Sequence, residues 1–158
     1  MRCAGWILLL AGGAWGQLPI SFGVKAGYVG NAQPGSRIFP FKGGAYVEVK
    51  VPKLPRLEGG LMLERYETGG RALTVYQIPL LLKKRFGLAP AQPFLSGGVT
   101  LRRVPAFGEN YPGLTVAAGL TLGLLPVKIE PELRLTRWLQ SNYSPRGQQA
   151  ELLIGFRF

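Results

Sequence analysis

Apolar and polar residues alternate along most of this chain, most clearly in the stretch 113–124 and at the C-terminal end. Between Leu114 and Leu124, every second residue is Leu, Val or Ala, whereas the residues between them are Thr, Ala or Gly. Successive side chains of a β-strand point to opposite faces, so such a stretch forms a ribbon with an apolar and a polar side. The alternation therefore predicts long β-strands.

Eight segments have this character. They cover residues 19–30, 41–51, 55–67, 71–86, 92–104, 113–124, 127–140 and 148–158. They are longer than the strands of most globular proteins, and a strand that crosses a bilayer needs about 9–11 residues. Short, proline-containing connections follow the second, fourth and sixth segments, and longer polar ones follow the first, fifth and seventh. Short turns at one end and longer loops at the other are typical of outer-membrane barrels.

The last segment must pair with another strand, because a free apolar edge promotes aggregation. We expect residues 148–158 to pair antiparallel with residues 19–30, with Glu151 and Arg157 facing the lumen and Phe158 at the periplasmic rim. This pairing closes the sheet and leaves no edge. The predicted fold is all-β: a single eight-stranded, antiparallel, up-and-down transmembrane β-barrel with a polar interior and an apolar exterior.

Alternation alone does not say which face of a barrel is inside. A secreted soluble barrel that binds an apolar ligand would place the same apolar face in its lumen. The long and clean Leu/Val face, the small and oppositely charged residues on the other face, and the final Phe158 favour the membrane barrel.

The composition agrees with an all-β chain and limits the chemistry. Gly (23) and Pro (13) recur too often for long helices, which favours strands joined by turns. The chain has no His and no Asp, and its single cysteine is Cys3. Metal sites built on His, Ser-His-Asp triads and Cys-His pairs are therefore excluded. We expect no enzymatic activity, no catalytic residues, no cofactor and no metal site.

The N-terminal residues have the layout of a secretory signal peptide. Arg2 precedes a short apolar run at residues 6–11, and Ala14 and Gly16 supply small residues before a cleavage site. The run is too short for a membrane-spanning helix, which needs about 20 apolar residues. We predict a signal peptide at residues 1–16 and an outer-membrane barrel domain at residues 17–158.

The net charge of +11 suggests a partner that carries phosphates. The basic residues are scattered through strand segments and form neither a basic helix nor an aromatic RNA-binding motif, so we do not expect nucleic acid. Anionic membrane lipids are the expected partners.

Many charged residues fall on the polar face of the predicted strands. Paired charges can persist in a narrow barrel where a single charge would be too costly. The predicted network fills the lumen, although a narrow pore lined by the same residues is an alternative. A neighbouring carboxylate pair, Glu130 and Glu132, could also suggest acid/base chemistry, but Arg134 next along the same face favours ion pairing. The predicted lumen residues are Lys25, Glu48, Lys50, Glu64, Lys83, Arg102, Glu130, Glu132, Arg134, Glu151 and Arg157.

Charges on the apolar face lie near predicted strand ends, where they cost little. Arg65, Arg103 and Arg137 fall at the outer end, and we expect them to contact phosphates of lipopolysaccharide. Other basic residues are expected in or beside the outer loops: Arg37, Lys42, Arg71 and Arg146. Aromatic residues gather at both ends, which predicts two interfacial girdles. The outer girdle would hold Phe39, Phe41, Phe107, Tyr111, Trp138 and Tyr143, and the inner one Phe22, Phe86, Phe94 and Phe158.

Three stretches resemble the eight-stranded outer-membrane barrels of Gram-negative bacteria: residues 22–27, 78–83 and 155–158. In that family the terminal aromatic strand is the signal read by the barrel assembly machinery, which the resemblance places on Leu152, Ile154, Phe156 and Phe158. The family includes membrane-stabilising barrels, adhesion proteins and lipid-modifying enzymes. The enzymes depend on His-containing sites, and this chain has no His.

These observations predict a non-enzymatic, monomeric protein of the outer membrane with a structural or surface-interaction role and a charged network in its lumen. The alternatives are a narrow pore for small solutes or ions, and the soluble barrel that binds an apolar ligand.

Overall fold

The computed structural model describes residues 20–30, 37–68, 71–87, 90–105, 108–124, 127–139 and 147–158. They form eight strands in one closed antiparallel barrel, in which each strand pairs with its neighbours in sequence and the last pairs with the first. The strands are β1 (Ile20–Gly30), β2 (Arg37–Val49), β3 (Arg56–Thr68), β4 (Arg71–Arg85), β5 (Ala91–Val104), β6 (Glu109–Leu124), β7 (Val127–Trp138) and β8 (Gln148–Arg157). The predicted fold is confirmed.

The strands begin earlier than predicted in two places, and a proline lies near each. β2 begins at Arg37, before Pro40, and β6 begins at Glu109, before Pro112. Proline lacks the N–H that a sheet needs, so both residues indicated loops in the sequence. In β2 the register against β3 shifts between Ile38 and Lys42, around Pro40, which is how a β-bulge accommodates such a residue.

The closing pair is the one expected from the terminal strand. β8 runs antiparallel to β1, from Gly23 opposite Arg157 to Gly30 opposite Ala150. The backbone N–H of Phe158 continues the contact by donating to the carbonyl of Phe22 at 2.8 Å. The start of β1 and the end of β8 lie at the same end of the barrel as the connections after β2, β4 and β6. We call this the short-turn end, and the opposite end the loop end.

The apolar face of the strands points outward. Val116 and Leu120 on β6 are 59% and 43% exposed, whereas Thr115 on the other face of the same strand is 1% exposed. The same division holds around the barrel, where Leu, Val, Ile and Phe side chains form the exterior. An apolar ligand cavity in the lumen would require the opposite arrangement. No helix in the described part of the chain is long and apolar enough to cross a membrane.

Several large side chains that point inward lie opposite glycines of a neighbouring strand. Tyr46 is opposite Gly23, for example, and a Cβ on Gly23 would lie 2.5 Å from the Tyr46 ring. At these positions the narrow interior accommodates the bulky residue because the adjacent position has no side chain. The further pairs are Gly27 with Leu153, Gly44 with Met62, Gly98 with Leu81, Gly119 with Phe94, and Gly113 with Trp138.

Replacing Gly27 with Ala is expected to destabilise the barrel by roughly 1–3 kcal/mol, because overpacking at a fixed backbone forces strand shifts. The new Cβ would clash with the carbonyl oxygen of Leu152, which cannot move without breaking the closing strand pair. Gly97→Ala is the matched control, since its Cβ would meet nothing closer than the Thr115 carbonyl at 3.8 Å. Urea unfolding of the two variants in detergent compares them, and equal stabilities would contradict the role of Gly27.

Three aromatic residues assigned to the girdles lie inside the barrel instead. Phe94, Tyr111 and Trp138 are 1%, 8% and 5% exposed. Their positions near strand ends suggested girdles, but they share the inward-facing alternation of their strands. The girdle prediction fails for these residues. Phe22, Phe41, Phe86 and Phe158 are exposed, and the Phe39 side chain, Phe107 and Tyr143 lie outside the described residues.

Candidate functional site: the charged interior

The middle of the interior is an ion-paired group drawn from three strands. Lys25 of β1 bonds to Glu58 and lies 2.7 Å from a Glu132 oxygen. Arg134 of β7 lies 2.6 Å from the other Glu132 oxygen and 3.4 Å from Glu58. The Lys25 ammonium also lies 4.5 Å from the ring centre of Tyr46, a distance suited to a cation–π contact. All four ionic side chains are almost fully buried, and each has opposite charges beside it.

At the short-turn end, two buried carboxylates gather several cations. Arg85 binds both oxygens of Glu48, at 2.5 and 2.6 Å, and reaches an oxygen of Glu130 at 2.8 Å. Lys83 lies 2.6 Å from Glu130 and 4.0 Å from the ring centre of Phe94. Arg157 of the last strand lies 3.2 Å from Glu48 and 3.4 Å from Glu130. This layer therefore ties β2, β4, β7 and β8 together across the lumen.

Towards the loop end, the interior changes from ion pairs to neutral hydrogen bonds. Lys42 still lies 2.6 Å from Glu151 and also bonds to Gln77. Beyond them, Thr100, Thr115 and Thr136 form a chain of hydroxyls with separations of 2.7 and 3.0 Å. These short side chains satisfy one another across neighbouring strands without a net charge.

Four apolar or aromatic side chains close the loop end. Val75, Val104, Tyr111 and Trp138 form a buried cluster, which we call the loop-end plug. Each comes from the loop-end part of its strand, on β4, β5, β6 and β7 respectively. Arg102 packs over the Trp138 ring at 5.4 Å, and the Trp138 N–H donates to Gln149 at 3.2 Å. The plug and the ion-paired layers therefore place buried side chains at both ends and in the middle of the interior.

The structure places most of the predicted lumen residues in this interior. Arg102 is half-buried against Trp138, and the fully buried ones are Lys25, Glu48, Glu64, Lys83, Glu130, Glu132, Arg134, Glu151 and Arg157. The assignment of Lys50 to the lumen is wrong. Lys50 shares the inward alternation of Glu48, but β2 ends at Val49, and Lys50 is exposed beside the following turn.

Sequence reasoning also missed interior residues. Lys42 was expected beside an outer loop, yet it is 1% exposed and paired with Glu151. Arg85 was not assigned to the lumen, although it binds two buried carboxylates. The alternation of each strand indicates that both residues face the lumen, because Lys42 alternates in step with Tyr46 and Arg85 lies two residues after Lys83. Alternation applied up to the strand ends would have found them.

The other predicted site residues lie on the exterior. Arg65, Arg103 and Arg137 are exposed and lie in the loop-end parts of β3, β5 and β7. In the terminal strand, Leu152, Ile154, Phe156 and Phe158 all point outward and are 59%, 48%, 39% and 69% exposed. The side chains of Arg37 and Arg71, and all of Arg146, lie outside the described residues, as does the predicted signal peptide.

The interior offers ion pairing more readily than proton transfer or metal binding. Glu48, Glu130 and Glu132 each have at least two cationic neighbours within 4 Å. The opposite charges neutralise one another, and their attraction offsets the free-energy cost of burying them. Within the described ranges, no group of three or more His, Cys, Asp or Glu residues could hold a metal ion.

Comparison with known proteins finds similarity to solved structures. No protein-family model and no curated protein matches the chain. Among solved structures, Neisserial surface protein A superposes with a TM-score of 0.65 at 17% identity, covering 88% of this chain and 96% of that one.

Two other barrels are similar. The N-terminal β-barrel domain of Pseudomonas aeruginosa OprF has a TM-score of 0.51 at 16% identity, covering 87% of this chain and 97% of the domain. The outer membrane enzyme PagL has a TM-score of 0.54 at 13% identity, covering 87% and 98%. Since one of these proteins is an enzyme, the shared fold does not assign an activity. The chain has the fold of the small eight-stranded outer-membrane barrels.

Proposed function

We propose that this chain is an integral, non-enzymatic protein of the Gram-negative outer membrane that acts through its exterior and its loops, as a monomer, and does not conduct solutes. The observation that carries the proposal is the division between the two faces of its closed sheet. Leu, Val, Ile and Phe side chains cover the outside, and paired charges fill the inside. In water the exposed apolar surface would promote aggregation, whereas in a bilayer it contacts lipid tails.

The filled lumen favours this structural role over the alternative of a narrow pore. An eight-stranded barrel leaves room for little more than side chains. Here the ion-paired layers are followed by the loop-end plug, and Leu81, Leu153 and Met62 add buried apolar bulk to the interior. An ion would have to displace both charge pairs and packed aromatic rings to pass.

Conductance measurements in planar lipid bilayers test the pore alternative. The refolded protein is expected to give no unitary currents above those of bilayers without protein. A Val104→Gly/Tyr111→Gly/Trp138→Gly variant, which removes three of the four side chains of the loop-end plug, is the matched comparison. Regular channels formed by the unmodified protein would contradict the proposal.

Lipopolysaccharide is the partner that we propose for the loop-end exterior. Arg65, Arg103 and Arg137 are outward-facing and lie at similar height, where lipid phosphates meet the rim of such a barrel. Arg103 lies across from Tyr76 on one side and Asn110 on the other, so it is flanked by further polar groups. Guanidinium groups bind phosphate in a bidentate manner, which favours Arg at such positions.

Replacing these three Arg residues with Gln is expected to reduce the lipopolysaccharide that co-purifies with the barrel. The control is Lys50→Gln/Lys53→Gln/Lys84→Gln, which removes the same charge from exposed positions at the short-turn end. Phosphate analysis of the purified proteins measures the bound glycolipid. An equal amount in both variants would contradict the proposed contact.

A further inference from the structure

The short-turn end of the lumen carries more positive charge than its carboxylates neutralise. Glu48 and Glu130 are the acids of this layer, and both are fully buried. Four cations from the ends of β3, β4, β7 and β8 surround them. Lys83 also contacts Glu130 but is not counted here, because it pairs with Glu58 as well. We call these four the basic mouth: Arg56, Arg85, Lys128 and Arg157. Four cations against two carboxylates leave a surplus of two positive charges.

The oxygens of the two acids are already occupied. Arg56, Arg85 and Arg157 all approach the same oxygen of Glu48, at 3.1, 2.5 and 3.2 Å. Glu130 accepts from Arg85 at 2.8 Å and from Thr121 at 2.9 Å on one oxygen, and from Lys83 at 2.6 Å on the other. These carboxylates therefore have little capacity left for the remaining N–H donors.

Donors are left over in the same place. The buried Nε of Arg157 lies 3.4 Å from Glu130 and has no hydrogen-bond partner among the described residues. The Arg56 side chain uses one nitrogen on Glu48 and keeps 32% of its surface exposed. Lys128 is exposed and lies directly opposite Arg157 in the pairing of β7 with β8. Mutual repulsion of this kind is relieved by an anion.

The exposed donors follow the inward alternation of their strands. Lys128 precedes Glu130 by two residues and Arg56 precedes Glu58 by two, and both acids point into the lumen. The two cations therefore face the axis of the barrel, unlike Lys84, which shares the outward alternation of Leu82 and Leu80. A ligand that meets them comes along the axis from the aqueous side, rather than from the lipid around the barrel.

We propose that the basic mouth binds a soluble oxyanion, a phosphate or carboxylate group, which enters from the short-turn end. Arg56 and Lys128 supply the contacting donors, while Arg85 and Arg157 add charge from beneath and hold the mouth in shape through Glu48 and Glu130. The assignment of this end to the periplasm rests on the proposed function, but binding itself does not, because it depends only on the folded barrel.

Isothermal titration of the folded protein with inorganic phosphate and with succinate, in non-ionic detergent at fixed chloride concentration, tests the site. Saturable binding of at least one probe is expected, and the comparison shows whether phosphate or carboxylate is preferred. Arg56→Gln/Lys128→Gln should weaken binding by roughly tenfold or more, since each removes a charge-assisted hydrogen bond. Lys53→Gln/Lys84→Gln removes equal charge from exposed positions at the same end, outside the mouth, and should leave the affinity unchanged.

Heat-modifiable gel mobility of each variant confirms that it is folded before titration. Absence of saturable binding to the unmodified protein would overturn the proposal, as would equal weakening in the two double variants. The same titration in nanodiscs of phosphatidylcholine, with and without phosphatidylglycerol, separates a soluble oxyanion from a lipid headgroup. Unchanged phosphate affinity supports the soluble ligand, whereas loss of binding with the anionic lipid would show that headgroups take the mouth.

Discussion

Glu130→Gln is expected to lower the free energy of unfolding by about 3–5 kcal/mol, the cost of removing one member of a buried ion pair. Glu130 lies within 4 Å of Lys83, Arg85 and Arg157, and it also accepts a hydrogen bond from Thr121. The substitution preserves shape and removes only the charge. The three cations around Glu130 would then have only Glu48 and Glu58 as acidic partners.

The measurement is urea unfolding of the protein in lipid vesicles, followed by the fluorescence of Trp138, which is buried in the loop-end plug. Lys50→Gln, an exposed charge beside a turn, is the control and should change stability by less than about 0.5 kcal/mol. Arg85→Gln completes a double-mutant cycle. Its cost should be smaller in the Glu130→Gln background, since it then removes a surplus charge. Equal stability of Glu130→Gln and Lys50→Gln would contradict the role of the interior network.

Val116→Arg is expected to destabilise the protein in a bilayer by about 2–4 kcal/mol, the range for a basic residue at the bilayer midplane. Val116 lies near the middle of β6, points outward and is 59% exposed, opposite Gly97 on one side and Leu135 on the other. It makes few contacts within the protein, so a soluble barrel would tolerate Arg there almost without cost.

Leu139→Arg is the matched comparison for depth. Leu139 is also 59% exposed but follows the last residue of β7 at the loop end, where the expected cost falls to about 0–1 kcal/mol. Folding titrations of both variants in lipid vesicles compare the two positions. Equal costs at Val116 and Leu139 would argue against a membrane around the barrel.

The fold could be predicted because strand alternation is a local signal that repeats. The closing contact of β8 with β1 followed from the same rule, since a ribbon with one apolar face needs a partner on both edges. The strand starts near Pro40 and Pro112 were misjudged because a proline in an edge or bulge position is compatible with a strand. Register with the neighbouring strand decides this, and register is not visible in one segment alone.

The interior was predicted by composition and alternation, but its pairing was not. Glu48 and Lys83 could be assigned to the polar face, yet their partners come from strands that are distant in sequence. Which cation reaches which acid depends on the stagger of the barrel. The exact end of each strand decides whether a residue near it faces the lumen. Lys50 does not face the lumen because β2 ends one residue before it, whereas Trp138 points inward because β7 keeps its alternation to the last residue.

The most direct test of the membrane barrel is the environment of its outward face. Spin labels report this environment when they are attached, after reconstitution, to single cysteines introduced in turn at Leu114, Val116, Ala118 and Leu120. No native thiol competes for the label, because the one native cysteine, Cys3, lies in the predicted signal peptide. All four labels are expected to collide more often with oxygen, which concentrates in the bilayer, than with a water-soluble nickel chelate. More frequent collisions with the nickel chelate at these positions would contradict a lipid-facing exterior.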